Sequence, residues 1–300
     1  MNTAFDKLRL SSPARRGAAV VALCAAGALA AGKANAVTIN ATGFTTTVGG
    51  VVYTSIGRNS TVDTPLTLLP GATGGQGYGL TDASLTASGQ GDAFDDFGGI
   101  TVNGKAFNQP GGVVDRTFTS DGMFLTTLTP ENIDGIDTSL DYFADDSSPT
   151  LRVFSTFTNT NQDQTTFDVA YGGDLGCDSS CIIEDSSNGD AIFDQATDRF
   201  IVVSDGGPFD PVLTFVRFGE GGLAPTSTPA VPGQSFSGSF DVLGDVYTLT
   251  LDPDETVSLL YFVHFNVDVA DATSDSATFA NLTTLGNDGL LVGLSQQQLA

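Results

Sequence analysis

The sequence has no tryptophan and a single histidine, His264, and these two shortages exclude the most. A zinc hydrolase needs several imidazole or thiolate ligands, commonly as His-Glu-x-x-His, and one histidine cannot supply them. A Ser-His-Asp triad can be built only around His264, and no Gly-x-Ser-x-Gly elbow accompanies it. In Leu260-Tyr261-Phe262-Val263-His264-Phe265 a strand reading puts His264 on one face with Leu260 and Phe262, as a packed or interface residue. Sugar sites commonly present flat aromatic platforms. Without tryptophan, Tyr53, Tyr78, Tyr142, Tyr171, Tyr247 and Tyr261 could partly substitute, and most of these fall in core positions of strands. Helix signals are almost missing too. Only Ser295-Gln296-Gln297-Gln298-Leu299-Ala300 reads as a helix start, with Ser295 as its cap. No unit of 20 to 50 residues repeats, which argues against a propeller or solenoid.

The N-terminus carries an export signal. Lys7, Arg9, Arg15 and Arg16 precede a mildly apolar stretch, Gly17 to Ala31, and Ala34-Asn35-Ala36 offers the small-x-small cleavage site after Ala36. The stretch is short of the roughly 20 residues a membrane-spanning helix needs, and no other apolar run reaches that length. Leu23 before Cys24 does not fit a lipidation site. Arg15-Arg16 is compatible with twin-arginine export, and the ordinary secretory route fits equally. The expected organisation is a signal peptide over 1–36 and one β-sandwich domain over 37–300. The expected location is the periplasm, the medium or the cell surface.

Basic residues are scarce. Cleavage removes five of the eleven Lys/Arg and one acid, Asp6, leaving six against 34 Asp/Glu. Such a field repels nucleic acid and anionic membrane, and attracts cations and basic partners. The acids are lopsided: only Glu131, Glu184, Glu220 and Glu255 are glutamates. Aspartate favours turns and caps and ligates calcium, whereas glutamate favours helices. The excess therefore reads either as a solvated acidic shell or as calcium loops.

Once Cys24 leaves with the signal, Cys177 and Cys181 remain, four positions apart in an oxidising compartment. They read as a structural disulfide closing one loop. Around them stand Asp174, Asp178, Glu184, Asp185, Asn188 and Asp190, the first candidate calcium set. Asp92, Asp95 and Asp96 form a second. Neither has EF-hand spacing: counted from Glu184, Gly189 takes position six, but Gln195 stands at twelve where a bidentate glutamate belongs. The competing reading is that these Asp and Gly residues simply make turns.

Apolar residues recur with period two. Ile136, Thr138, Leu140 and Tyr142 alternate with Asp137, Ser139 and Asp141, and a strand with apolar residues on both faces follows at 151–158. Further strands are expected at 165–171, 200–204, 212–218, 236–242, 246–251 and 257–267. Hairpin turns are expected at Asn103-Gly104 and Asp121-Gly122, and another turn at Asp252-Pro253-Asp254-Glu255. Long loops are expected near 71–99 and 219–233. The fold class is all-β, an antiparallel sandwich large enough to be a supersandwich, with very little helix.

The Ala-x-Ala signal, Gly91-Asp92-Ala93-Phe94-Asp95 ahead of Val102-Asn103-Gly104, and Phe157-Thr158-Asn159-Thr160 followed by Gly173-Asp174-Leu175-Gly176 resemble exported bacterial β-sandwich proteins. Some members of that group carry a Pro-Glu-Pro sorting tail; this sequence lacks it, so anchoring is not carried over. The resemblance implies no activity. The length would also suit the supersandwich of sugar mutarotases, but their paired histidines find no match. The functional expectation is a secreted or cell-surface, non-catalytic binding or structural module, calcium-stabilised, with cations, carbohydrate or cell-surface molecules as partners. The alternatives are a carbohydrate-active enzyme using an Asp/Glu pair, and a component of an extracellular assembly.

Overall fold

Alternation along the chain becomes three antiparallel sheets. The structure, a computed structural model, describes residues 36–40, 43–58, 78–108, 113–178, 180–233, 241–295 and 298–299. Residues 1–35 of the expected signal peptide lie outside them, as does most of the strand expected at 236–242. The strands are β1 (Val37–Asn40), β2 (Phe44–Val48), β3 (Val51–Arg58), β4 (Tyr78–Gly79), β5 (Asp82–Leu85), β6 (Phe94–Val102) and β7 (Lys105–Ala106). They continue with β8 (Val113–Phe118), β9 (Gly122–Thr127), β10 (Glu131–Ile133), β11 (Ile136–Asp145), β12 (Thr150–Asn159) and β13 (Thr165–Leu175). The last are β14 (Ile182–Ser186), β15 (Phe200–Ser204), β16 (Val212–Val216), β17 (Ser227–Ala230), β18 (Val242–Leu251) and β19 (Thr256–Asn266).

The large sheet runs β1-β8-β9-β11-β12-β19-β16-β15-β14, with β10 added on β11. A second sheet runs β17-β18-β13-β6-β7, and a third joins β2, β3 and β4, with β5 on β3. The first two sheets pack face to face through aromatic pairs. Tyr171 of β13 stacks on Tyr261 of β19, Phe167 of β13 meets Phe157 of β12, and Phe97 of β6 meets Phe215 of β16. The chain is thus an all-β sandwich of antiparallel sheets.

The period-two reading of β11 holds residue by residue: Ile136, Thr138, Leu140 and Tyr142 are buried, while Asp137, Ser139 and Asp141 between them are partly exposed. On β19 the alternation serves two cores. Tyr261, Val263 and Phe265 enter the sandwich interior. Phe262 points the other way, into a smaller cluster with Val216, Phe279, Leu285 and Leu290.

That second cluster exists because two short helices follow β19, which the sequence reading missed. Helices Val269–Asp275 and Leu282–Asn287, joined by the 3-10 turn Ser276–Ala280, lie on the outer face of the large sheet. Their caps are visible in the sequence in retrospect. The Asp268 side chain accepts the Asp271 N–H, and Asn281 with Thr284 forms a capping box. Each helix has under eight residues, too few for a hydrophobic stripe, so the pattern search passed over them. Two arginines hold the segment down. Arg152 Nη1 donates to the Leu290 and Val292 carbonyls at 2.8 Å each, and Arg199 Nη1 donates to Ala280 O at 2.9 Å.

The long loops are shorter than expected. Within 71–99 the chain forms β4, β5 and the start of β6, residues 71–77 lying outside the described set. Backbone pairing there is non-local, Tyr53↔Ala83 and Gly57↔Gly79, so Gly/Ser/Asp composition understates it. Within 219–233, Ser227–Ala230 pairs with β18. Asn103 (φ 50°) and Gly104 (φ 74°) make the expected turn with two positive φ angles. The β8–β9 hairpin instead spends Thr119, Ser120 and Asp121 on a longer turn, closed by Thr119 N–H on Gly122 O.

Candidate functional site

Between the large sheet and its helical cover lies a cavity of about 560 Å³. Its floor is a cross-strand pair, Thr150 of β12 opposite His264 of β19. Its wall is the turn between β11 and β12, which carries Ser147 and Ser148, and its rim is the helical segment with Asp275, Thr278, Phe279, Asn287 and Asp288. The turn is shaped by buried Asp145, whose carboxylate accepts Ser147 N–H at 2.7 Å and Ser147 Oγ at 2.8 Å.

His264 is 6% exposed and contacts three elements. Its Nδ1 lies 2.7 Å from Thr150 Oγ1, its Nε2 lies 3.3 Å from Asp275 Oδ2, and the Phe279 ring stands edge-on at 5.8 Å. Ser148 Oγ lies a further 2.7 Å from Thr150 Oγ1. Burial pushes the imidazole below its ordinary pKa, against opposing pulls from Asp275, Asn266 and Asp145. A neutral ring with its proton on Nε2 satisfies both contacts: it donates to Asp275 and accepts the Thr150 hydroxyl at Nδ1. The packed histidine of the sequence reading is therefore also a cavity residue. The partners Thr150 and Asp275 stand 114 and 11 positions away, and only the strand register and the helical cover bring them to it.

The aspartate loops are divided by the fold. β6 bulges against β13: Phe97 pairs with Gly173 and Phe94 with Leu175, so Asp95 and Asp96 face the single residue Asp174. Asp96 takes φ 91°, and Gly173 is obligatory because a Cβ there would come within 2.4 Å of Phe97 Cα. Gly176 presses against Asp92, where a Cβ would meet the Asp92 carbonyl oxygen at 1.8 Å. Asp92, Asp95, Asp174 and Asp178 lie close enough to feel the charges of Asp82, Asp205, Asp210 and Asp241, four residues the sequence reading did not single out.

Burial and, after it, mutual repulsion push several of these carboxyls above the ordinary carboxylate range. Burial, then Asp241, Asp95 and Asp96, raise Asp174 to about 7. Burial, then Asp205, Asp92, Asp178 and Asp82, raise Asp210 to about 6. Asp92 and Asp95 are raised by burial first and by Asp178 among their neighbours. Asp174 Oδ1 is buried without a hydrogen-bond partner among the described residues.

The other candidates go elsewhere. Glu184 accepts Ser204 Oγ at 2.5 Å, Asp185 accepts Thr273 Oγ1 at 3.1 Å, Asn188 Nδ2 donates to Thr197 Oγ1 at 3.0 Å, and Asp190 accepts Ile192 N–H at 3.0 Å. Cys177 and Cys181 form the expected disulfide, Cα atoms 5.1 Å apart. Among the described residues, no three Asp, Glu, His or Cys side chains are arranged to hold a metal ion, and no helix is long and apolar enough to cross a membrane.

No family model matches the chain, and no curated protein matches it. Among solved structures it is similar to a polysaccharide lyase at 15% identity and TM-score 0.39, over 64% of this chain and 31% of the lyase. It is similar to a TPR-domain containing protein from Parabacteroides distasonis at 12% identity and TM-score 0.40, over 63% of this chain and 44% of that one. A Klebsiella pneumoniae protein taken to be an aldose 1-epimerase gives 9% identity and TM-score 0.40, over 67% and 77%. The chain spans about a third of the lyase's length. Scores at this level assign no family.

Proposed function

We propose that the protein is exported and holds a small, hydroxyl-rich molecule, of the size and chemistry of a mono- or disaccharide, in the cavity between the large sheet and its helical cover. The observation that carries this reading is the lining. Ser148, Thr150 and Thr278 bring hydroxyls, Asn287 an amide, Asp275 and Asp288 carboxylates, His264 an imidazole and Phe279 an apolar ring, around about 560 Å³. Ligand sites typically occupy 300–1,000 Å³ and fix orientation with a few polar groups beside an aromatic surface. Carboxylates accept sugar hydroxyls in charge-assisted bonds. Calorimetric titration of the purified protein with a panel of neutral mono- and disaccharides tests it. Saturable heat from at least one of them, weakened tenfold or more in Asp275→Asn, supports the reading. The absence of heat from the whole panel overturns it.

A second reading concerns the aspartate loops around the disulfide. Asp174, held at about 7 by burial and by Asp241, Asp95 and Asp96, supports a role for cations there. A divalent ion such as calcium would relieve this repulsion, and carboxylates are its ordinary ligands. Melting in calcium and then in chelator at constant ionic strength tests it; an identical midpoint removes calcium from the account.

A further inference from the structure

We propose that Ser148, Thr150, His264 and Asp275 form a hydroxyl–imidazole–carboxylate relay that cleaves acyl esters of the hydroxylated compound held in the cavity. The inference rests on the ligand reading of that cavity and adds a reaction to it.

The geometry runs in one direction. Ser148 Oγ is half-buried in the cavity wall and 2.7 Å from Thr150 Oγ1. Thr150 is 1% exposed, which withdraws it from direct attack but leaves it able to pass a proton to His264 Nδ1, 2.7 Å on. Asp275, 3.3 Å from Nε2, fixes the ring and balances the charge an imidazolium would carry. The groups come from three elements: the β11–β12 turn and the start of β12, β19, and the end of helix Val269–Asp275. Cross-strand pairing explains Thr150 against His264 but not why the chain of hydroxyls continues to the cavity. A buried neutral imidazole needs two partners, and Thr150 and Asp275 already supply them.

The reaction balances with water alone. Ser148 Oγ attacks the acyl carbonyl carbon, its proton moves to Thr150 Oγ1, and the Thr150 proton moves to His264 Nδ1. The tetrahedral adduct collapses, the ester C–O bond breaks, and the departing alkoxide takes a proton back through Thr150. Water then attacks the acyl group on Ser148, gives its proton along the same route, and collapse frees the carboxylic acid with the Ser148 hydroxyl restored. Ester and water become acid and alcohol.

The test uses the full mature chain and a fluorophosphonate probe, with peptide mass mapping, beside p-nitrophenyl acetate turnover. The expected result is a label on Ser148 that Ser148→Ala abolishes. His264→Gln should slow labelling by about 100-fold or more. Asp275→Asn, at a half-exposed position that folding tolerates better, should slow it by about tenfold or more while circular dichroism stays unchanged. No label on the folded protein, or a label whose rate ignores both substitutions, overturns the relay. Saccharide binding to the unsubstituted protein is measured alongside. Binding without labelling leaves the ligand reading standing and removes the reaction; neither binding nor labelling removes both.

Discussion

Tyr171 and Tyr261 lie ring on ring between the two main sheets, centroids 3.9 Å apart and planes 9° from parallel. Tyr247 meets the same Tyr261 ring edge-on at 5.8 Å. The sandwich is thus closed at its middle by phenol rings from β13, β18 and β19, and their hydroxyls differ in what they find. Tyr247 Oη donates to the Arg217 carbonyl at 2.6 Å, while Tyr171 Oη is buried with no partner among the described residues.

This difference predicts opposite outcomes for one chemical change. Tyr171→Phe removes an unsatisfied buried hydroxyl and should leave stability unchanged or raise it by up to about 1 kcal/mol. Tyr247→Phe removes a made bond and strands a carbonyl, and should cost about 1 kcal/mol or more. Urea denaturation of the two variants beside the parent checks both signs.

Arg217 and Asp245 form a buried two-pronged pair, Nε to Oδ2 at 2.8 Å and Nη2 to Oδ1 at 2.7 Å, and Thr228 Oγ1 adds a bond to the same carboxylate. The pair ties the end of β16 to β18 across the sandwich. Asp245→Ala leaves a guanidinium buried without its counter-charge and should cost about 3–5 kcal/mol. A loss under about 1 kcal/mol in the same denaturation would show that water reaches Arg217.

Asp174 makes stability depend on pH in a stated direction. Its folded pKa, about 7, lies above the ordinary 3.8, so between those values the native chain binds more protons than the unfolded one. Stability from this group therefore falls as pH rises through that window. Asp174→Asn should melt above the parent at pH 8, the gap closing as pH falls toward 5. Comparing variant with parent at each pH cancels the opposite trend from His264, whose lowered pKa makes acid destabilising. Scanning calorimetry over pH 5–8 decides it; a gap independent of pH contradicts the assignment.

The disulfide should matter little globally. Cys177 and Cys181 are four positions apart, and so short a ring contributes about 2 kcal/mol at most through the unfolded chain. Replacing both with serine should lower the melting midpoint modestly and preserve the strand circular dichroism. Loss of the folded state would mean that the loop holds β13 to β14 more strongly than loop entropy allows.

The sandwich was legible wherever burial alone dictated residue choice. β11 alternates because one face meets the core and the other water, and β12 puts Leu151, Val153 and Phe157 in the core while Arg152 on its other face bonds the terminal segment. The cover itself was not legible, since two helices of under eight residues leave no periodic stripe and reveal themselves only by caps at Asp268 and Asn281. The cavity was hidden for the same reason. His264 stood out by being alone, but its partners Thr150, Ser148 and Asp275 depend on strand register and on where the cover comes to rest. The candidate calcium residues were seen as two sets, one around Cys177 and Cys181 and one at Asp92, Asp95 and Asp96. The bulge between β6 and β13 merges part of each, and Glu184, Asp185, Asn188 and Asp190 turn to other hydrogen bonds, near and far in the chain, that spacing does not foretell.

Because His264 is the only histidine, its imidazole gives a single set of NMR signals from the heart of the cavity. Titrating the protein with the saccharide that gives the strongest binding heat should move those signals, with the same midpoint as the heat. Binding heat with stationary imidazole signals would place the ligand elsewhere and contradict the account.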